Sequence, residues 1–374
     1  MPKLRPPATP ATPGPDLPVA EEPTRPGRAR RVLSWVIAVL VAVPVGTAAA
    51  LLLWDGGIDT GPRRELLPGV RLDLRTAQTP LGPVQYDLVG NDGPVVLSVH
   101  AGLGGADSGR LLADWLRGSG FRVLSPSRPG FPGTPLSSGT TLEEQADLLA
   151  ALLDTLSIRR VGVLAVSAGA PVGYTFAARH PDRVWGLVSV SGQSRPPAGP
   201  PGEPSAVRRA LLNTLGEKVI RLTAVVSLRT LLLGTLAETS TFDDRERAAR
   251  ADDVLADPDR RALFRALFDS TFPYRERWPG TDNDAVQVRT PIPLAAIRAP
   301  TLVVHGTRDG DVPFEDGRFA AEHIPGAQHS WLTGEEHLGF WLGPGAARSQ
   351  AGVRDFLLAH ADRHQELVIH GGEG

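Results

Sequence analysis

From Val70 onward the chain alternates short apolar runs with stretches of helical periodicity. Val70–Leu74 alternates apolar and polar residues, the mark of a half-buried strand, and Val84–Leu88 follows it across a Pro/Gly turn. Val95–His100, Phe121–Ser125, Val161–Val166 and Val184–Val190 are largely apolar throughout and read as buried strands. Between them Asp107–Gly118, Leu142–Leu156 and Ala168–His180 repeat their apolar residues at helical spacing. Uniformly apolar strands alternating with helices predict an α/β fold: a mostly parallel central sheet with helices on both faces.

The alternation breaks after 191. Residues 192–298 open with a Pro/Gly-rich hinge and continue as Leu-, Ala- and Arg-rich helical sequence without a buried-strand pattern. The sheet resumes at Thr301–His305, followed by a helix near Gly317–His323, a short strand at Gln328–Leu332 and a last helix over Ala347–His360. The expected organisation is one α/β core, 70–191 with 299–374, interrupted by a helical cap at 192–298.

The first 69 residues follow another logic. Residues 1–31 are rich in Pro, Ala and Thr, have too little apolar surface to fold, and end in Arg25, Arg28, Arg30 and Arg31. An uncharged run from Val32 to Trp54 is long enough to span a bilayer, which takes about 20 apolar residues. Trp35 and Trp54 stand near its ends, where aromatic residues meet the headgroups. The basic cluster before it predicts a single-pass anchor, with the N-terminus cytoplasmic and the folded domain outside. A cleaved signal peptide ending near Ala48–Ala50 is the competing reading, opposed by the long leading segment and by apolar sequence beyond those alanines. Residues 55–69 read as a linker.

Charge and composition narrow the chemistry. The formal net charge of −2 leaves no nucleic-acid footprint. The absence of cysteine removes disulfides, thiolate nucleophiles and cysteine-based metal sites.

The strand Val161–Val166 runs directly into Ser167 and a helix, within Ala165-Val166-Ser167-Ala168-Gly169. A small-x-Ser-x-small string at a strand-to-helix turn is the pattern of a nucleophile elbow, with the serine on a sharp turn and its hydroxyl exposed. Ala165 stands where glycine is usual. The bland alternative is a serine that caps a helix. A serine hydroxyl needs a base, and the base an orienting acid. Asp309 follows the strand Thr301–His305 on a Gly-Thr-Arg-Asp loop, with Asp311 as rival and turn formation as the alternative role. His337 follows the last strand and is the candidate base; His329, His305 and His323 sit in a strand, at a strand end and on a helix. Backbone N–H groups of Ala168 and Gly102, with Leu103 as neighbour candidate, would receive an oxyanion. The glycines of His100–Gly105 could also suit a phosphate, but no Gly-Lys-Ser/Thr follows them.

With these residues in hand the chain resembles the α/β-hydrolase superfamily, on the capped branch that includes proline-iminopeptidase-like and esterase-like members. His100-Ala101-Gly102-Leu103-Gly104-Gly105 is similar to that branch's His-Gly-Gly-Pro-Gly-Gly oxyanion loop, with two departures. Ser127–Thr134 resembles its Arg-x-Gly-x-Gly-x-Ser loop. The likeness covers roughly residues 80–361. It implies a Ser167–Asp309–His337 triad, a small-molecule acyl substrate and no cofactor, and leaves the substrate open. Carboxylic ester hydrolysis is the expected reaction. Aminopeptidase or amidase action, acyl transfer to another acceptor, and a non-catalytic membrane-tethered binding protein are the alternatives. The leucines of 211–236 are expected as cap core rather than pocket lining, and Asp282-Asn283-Asp284 as a solvated turn rather than a substrate contact.

Overall fold

The computed structural model describes residues 65–197 and 214–361. The basic tail, the apolar run at 32–54, most of the linker and the hinge at 198–213 lie outside the described residues. Among the described residues no single helix is long and apolar enough to cross a membrane.

The chain enters through a two-stranded ribbon, β1 (Glu65–Leu67) and β2 (Val70–Arg71). Eight further strands form one sheet: β3 (Arg75–Thr79), β4 (Gly82–Val89), β5 (Val95–Val99), β6 (Arg122–Pro126), β7 (Val161–Val166), β8 (Val184–Val190), β9 (Thr301–Gly306) and β10 (Gln328–Leu332). Their order is β10-β9-β8-β7-β5-β6-β4-β3. All neighbours from β6 to β10 are parallel, and β3 and β4 add an antiparallel edge. The strand expected over Val70–Leu74 is confined to Val70–Arg71, and the sheet's own edge strand lies further on, at Arg75–Thr79. That edge faces solvent along much of its length, so no apolar run marks it.

The central strands are buried along their whole length. Side chains alternate across β7: Val161, Val163 and Ala165 pack on one face, Leu164 and Val166 on the other. The first face is covered by α2 (Leu142–Thr155) and α3 (Ala170–Arg179), through Ala146, Leu149, Leu153 and Val172. The second is covered by α1 (Ala106–Arg117) and, at the end of the chain, the helix Ala346–His360, through Leu112, Leu116, Val353 and Phe356. Each of the leucine, valine and phenylalanine side chains taken out of water here contributes about 1.5–3 kcal/mol. Thr141 and Glu144 close a capping box that starts α2.

Between β8 and β9 run five helices among the described residues: α4 (Thr214–Val226), α5 (Leu228–Thr239), α6 (Asp244–Ala256), α7 (Pro258–Asp269) and α8 (Tyr274–Gln287). Leu232 and Leu236 of α5 are fully buried and join the same apolar cluster as Val166 and Val190. These leucines are packing residues that seat the cap on the sheet.

Candidate active site

Ser167 stands between β7 and α3 with φ +51, the left-handed region that a non-glycine residue enters at a cost of roughly 1–3 kcal/mol. The elbow is tight on both sides. A Cβ on Gly169 would lie 2.3 Å from the His100 carbonyl oxygen, so only glycine lets the turn pass β5. Ala165, the departure from the usual glycine, faces Gly173 of α3, where a Cβ would come within 2.5 Å of the Ala165 methyl. The helix gives up a side chain where the strand keeps one.

The structure brings the three sequence candidates together. Ser167 Oγ is 3.0 Å from His337 Nε2, and His337 Nδ1 is 2.8 Å from Asp309 Oδ2. All three residues are buried. The other Asp309 oxygen accepts from the N–H groups of Asp311 and Val312 at 3.0 and 2.9 Å, which fixes the carboxylate's orientation. Burial works to raise the Asp309 carboxyl. The His337 charge and hydrogen bonds from His305 and His337 outweigh it and hold the carboxyl well below the usual range. Burial likewise disfavours the His337 imidazolium, and Asp309, with Asp311 and Glu336 behind it, raises its pKa nonetheless.

The rivals take other places. Asp311 is half-exposed, 3.5 Å from His337 Nε2. His305 sits at the end of β9 with Nε2 3.0 Å from the Val312 carbonyl oxygen and 3.4 Å from Asp309, where it braces the acid loop. His329 stacks on Trp331, and His323 on Phe319.

Gly102 lies against Ala168: a Cβ on it would be 3.6 Å from the Ala168 Cβ. The loop turns at Leu103 with φ +59, so its left-handed residue is not one of the glycines. His100 accepts from the Arg128 N–H through Nε2 at 3.0 Å and donates from Nδ1 to the Ala101 carbonyl at 2.7 Å. Burial, together with the Arg128 charge, lowers its pKa well below the ordinary value, so it stays a neutral brace. Among the described residues no His/Asp/Glu cluster has the arrangement to hold a metal ion.

Several residues around the site have pairings that no motif announced. Arg128, fully buried, pairs with Asp284 of α8 through both guanidinium nitrogens at 2.5 and 2.7 Å. Asp284 is therefore a paired carboxylate on a helix rather than a solvated turn, and Asn283 donates to the Thr140 carbonyl. Arg277 of α8 donates to the Gly104 carbonyl and pairs with Asp107 at 2.7 Å, which ties the cap to the oxyanion-side loop. Only the burial of an arginine inside a helical cap could have flagged these pairs, and arginine is common throughout that stretch.

A parallel sheet with a serine elbow, and an acid and a histidine on the loops after β9 and β10, defines the class. The sequence profile of the alpha/beta hydrolase fold family matches residues 94–344. The chain belongs to that family and is an enzyme of that fold. It is 38% identical to a solved alpha/beta hydrolase fold protein from Nakamurella multipartita, with a TM-score of 0.72 over 77% of this chain and 99% of that one. An uncharacterized hydrolase of Bacillus subtilis is 27% identical over 74% of this chain and 95% of its own length. A 2-hydroxy-6-oxononadienedioate/2-hydroxy-6-oxononatrienedioate hydrolase of Cupriavidus pinatubonensis is 29% identical over 56% of this chain and 68% of its own length.

Proposed function

We propose that this hydrolase cleaves a carboxylic ester, or a related acyl bond, through an acyl-enzyme on Ser167. The observation that carries the reading is the continuous hydrogen-bonded line from Ser167 through His337 to Asp309. His337 Nε2 takes the serine proton as Oγ attacks the carbonyl carbon. Asp309 holds the imidazole in the tautomer that leaves Nε2 free to accept, and stabilises the imidazolium. The N–H groups of Ala168 and Gly102 receive the oxyanion. His337 then protonates the leaving alcohol and activates a water to release the acid. An ester is favoured over a peptide amine because Asp284, a cap carboxylate that could otherwise hold a substrate amine, is engaged by Arg128. The substrate class in the Cupriavidus relative's name, a hydroxy-oxo unsaturated dicarboxylate, is the alternative to screen.

The test is a fluorophosphonate probe on the full chain in detergent, beside Ser167→Ala and His337→Ala. Labelling of the parent alone supports the reading. Equal labelling of Ser167→Ala, or none in the folded parent, ends it. We further propose that residues 32–54 anchor the enzyme in a membrane with the hydrolase domain extracytoplasmic, on the strength of that run's length, lack of charge and flanking arginines. Recovery of the full chain in the membrane fraction, with a protease-accessible domain on intact spheroplasts, is the expected result.

A further inference from the structure

We propose that the cap is part of the acid–base apparatus, with the Thr239–Thr241 strap and Arg250 as positioning elements that hold the Asp309 and His337 loops in register. The inference rests on the acyl-enzyme reading above and adds to it a set of groups that touch no substrate.

The loops that carry Asp309 and His337 leave the carboxyl ends of β9 and β10. β10 is the edge of the sheet, and its residues are partly or largely exposed, so no strand on its outer side steadies the loop that follows. The core supplies two backbone ties there, Thr307 N–H to the Leu332 carbonyl and Arg308 N–H to the Glu335 carbonyl. Two side-chain ties from the core add to these, the Ser191 hydroxyl donating to the His337 carbonyl at 3.2 Å and the Gly334 N–H to Thr307 Oγ1 at 2.9 Å. The cap supplies a further set. The Thr239 carbonyl, at the end of α5, accepts from the His337 N–H at 3.2 Å and from the Gly310 N–H at 3.1 Å. One cap oxygen thus joins the base residue's own backbone to the residue after the acid. Thr241 N–H donates to the Arg308 carbonyl at 2.9 Å, and Ser240 pairs with Asp309 as an antiparallel bridge.

The fit admits no side chain at 310: a Cβ there would lie 2.6–2.8 Å from the backbone of Ser240. Behind the strap, Arg250 of α6 places one guanidinium nitrogen 2.8 Å from Glu335 and 3.2 Å from Glu336, the two residues that lead into His337. Glu336 is fully buried, and its second oxygen accepts from the Leu338 N–H. The turn that aims His337 is therefore clamped on both sides of the histidine, and the clamp's cation comes from the cap.

Displacing reacting groups by about 1 Å costs on the order of a hundredfold in rate, so a strap of this kind is read in turnover before it is read in stability. The experiment compares the parent with Gly310→Ala, Arg250→Gln and Arg250→Lys in the full chain. Asp252→Asn serves as control, because Asp252 lies on the same helix and pairs with Arg229 in solvent. Expected are a loss of kcat of roughly tenfold or more in Gly310→Ala and Arg250→Gln with little change in KM, partial rescue in Arg250→Lys, and parent rates in the control. The acid limb of the Gly310→Ala pH profile should move down toward an ordinary histidine, since Asp309 is the group that holds the imidazolium. A far-downfield proton resonance from His337 Nδ1–H should weaken in the same variant. Unchanged kcat, pH limb and resonance in both Gly310→Ala and Arg250→Gln would overturn the inference. A parent inert to the fluorophosphonate probe would instead fail the acyl-enzyme reading, and the resonance would still report whether the strap holds the His337–Asp309 bond.

Discussion

The central strands and the cap helices both bear on the triad, the strands through Ser167 and the cap through the Asp309 and His337 loops, but they are held in place by different forces. β5, β7, β8 and β9 are buried from end to end and interlock through aliphatic side chains. The cap adds Leu232, Leu236, Ala251, Val254 and Phe264 to that packing, and also meets the core through directional contacts. Arg277 crosses to Asp107, Arg128 to Asp284, and Arg250 to Glu335 and Glu336. The polarity is exchanged: the cap gives the cation in one pair at α8 and the anion in the other. Gly130 and Gly280 let the two backbones touch between those pairs, with the Gly280 N–H 2.9 Å from the Gly130 carbonyl. Apolar packing tolerates small shifts, whereas ion pairs and backbone contacts fix register. Both regions contribute to stability, and the cap's directional contacts also set where the loops stand.

The sharpest way to break the comparison is at the point where both regions meet. Asp309→Asn should lower kcat by roughly 10³–10⁴, because the amide favours the wrong imidazole tautomer. Its pH profile should change as well. A raised His337 pKa keeps the imidazole protonated to higher pH, so parent activity rises with pH through a limb above the ordinary histidine value; loss of the carboxylate moves that limb down. Steady-state ester hydrolysis across pH checks both points. Next in size is Arg128→Ala, which strands the Asp284 carboxylate in a largely buried site. A loss of about 3 kcal/mol in urea unfolding is expected, a cap-to-core cost larger than most single core truncations at the sheet edge.

Gly173→Ala tests the packing side. Its new methyl would collide with Ala165 and cost about 1–3 kcal/mol, and Ala165→Gly in the same chain should restore most of it. Asp252→Asn, on the solvent face of α6, should leave the melting temperature unchanged, because exposed ion pairs contribute little.

The same division explains what could be read from the chain itself. The buried strands are legible because both faces must be apolar, and the helices between them because one face must be. Ser167, Asp309 and His337 were each found by position at the end of a strand, and the structure places their side chains within hydrogen-bonding distance of one another. The edge strand Arg75–Thr79 escaped because half of it faces solvent. Arg250 and Arg277 escaped, and so did the partner of Arg128, because an arginine that will be buried against a carboxylate far along the chain looks like any surface arginine until the fold pairs them.

Ala165 and Gly173 also bear on how such a chain changes over generations. Their two side chains share room for one methyl, so the order of substitutions matters. Alanine at 165 requires position 173 to be open, and with alanine at 165 the glycine at 173 cannot be exchanged without a collision. A substitution at 165 back to glycine would free 173 again. The two positions in this sense exchange one methyl between them, and a search pattern that insists on glycine two residues before the serine passes over chains that carry it on the strand.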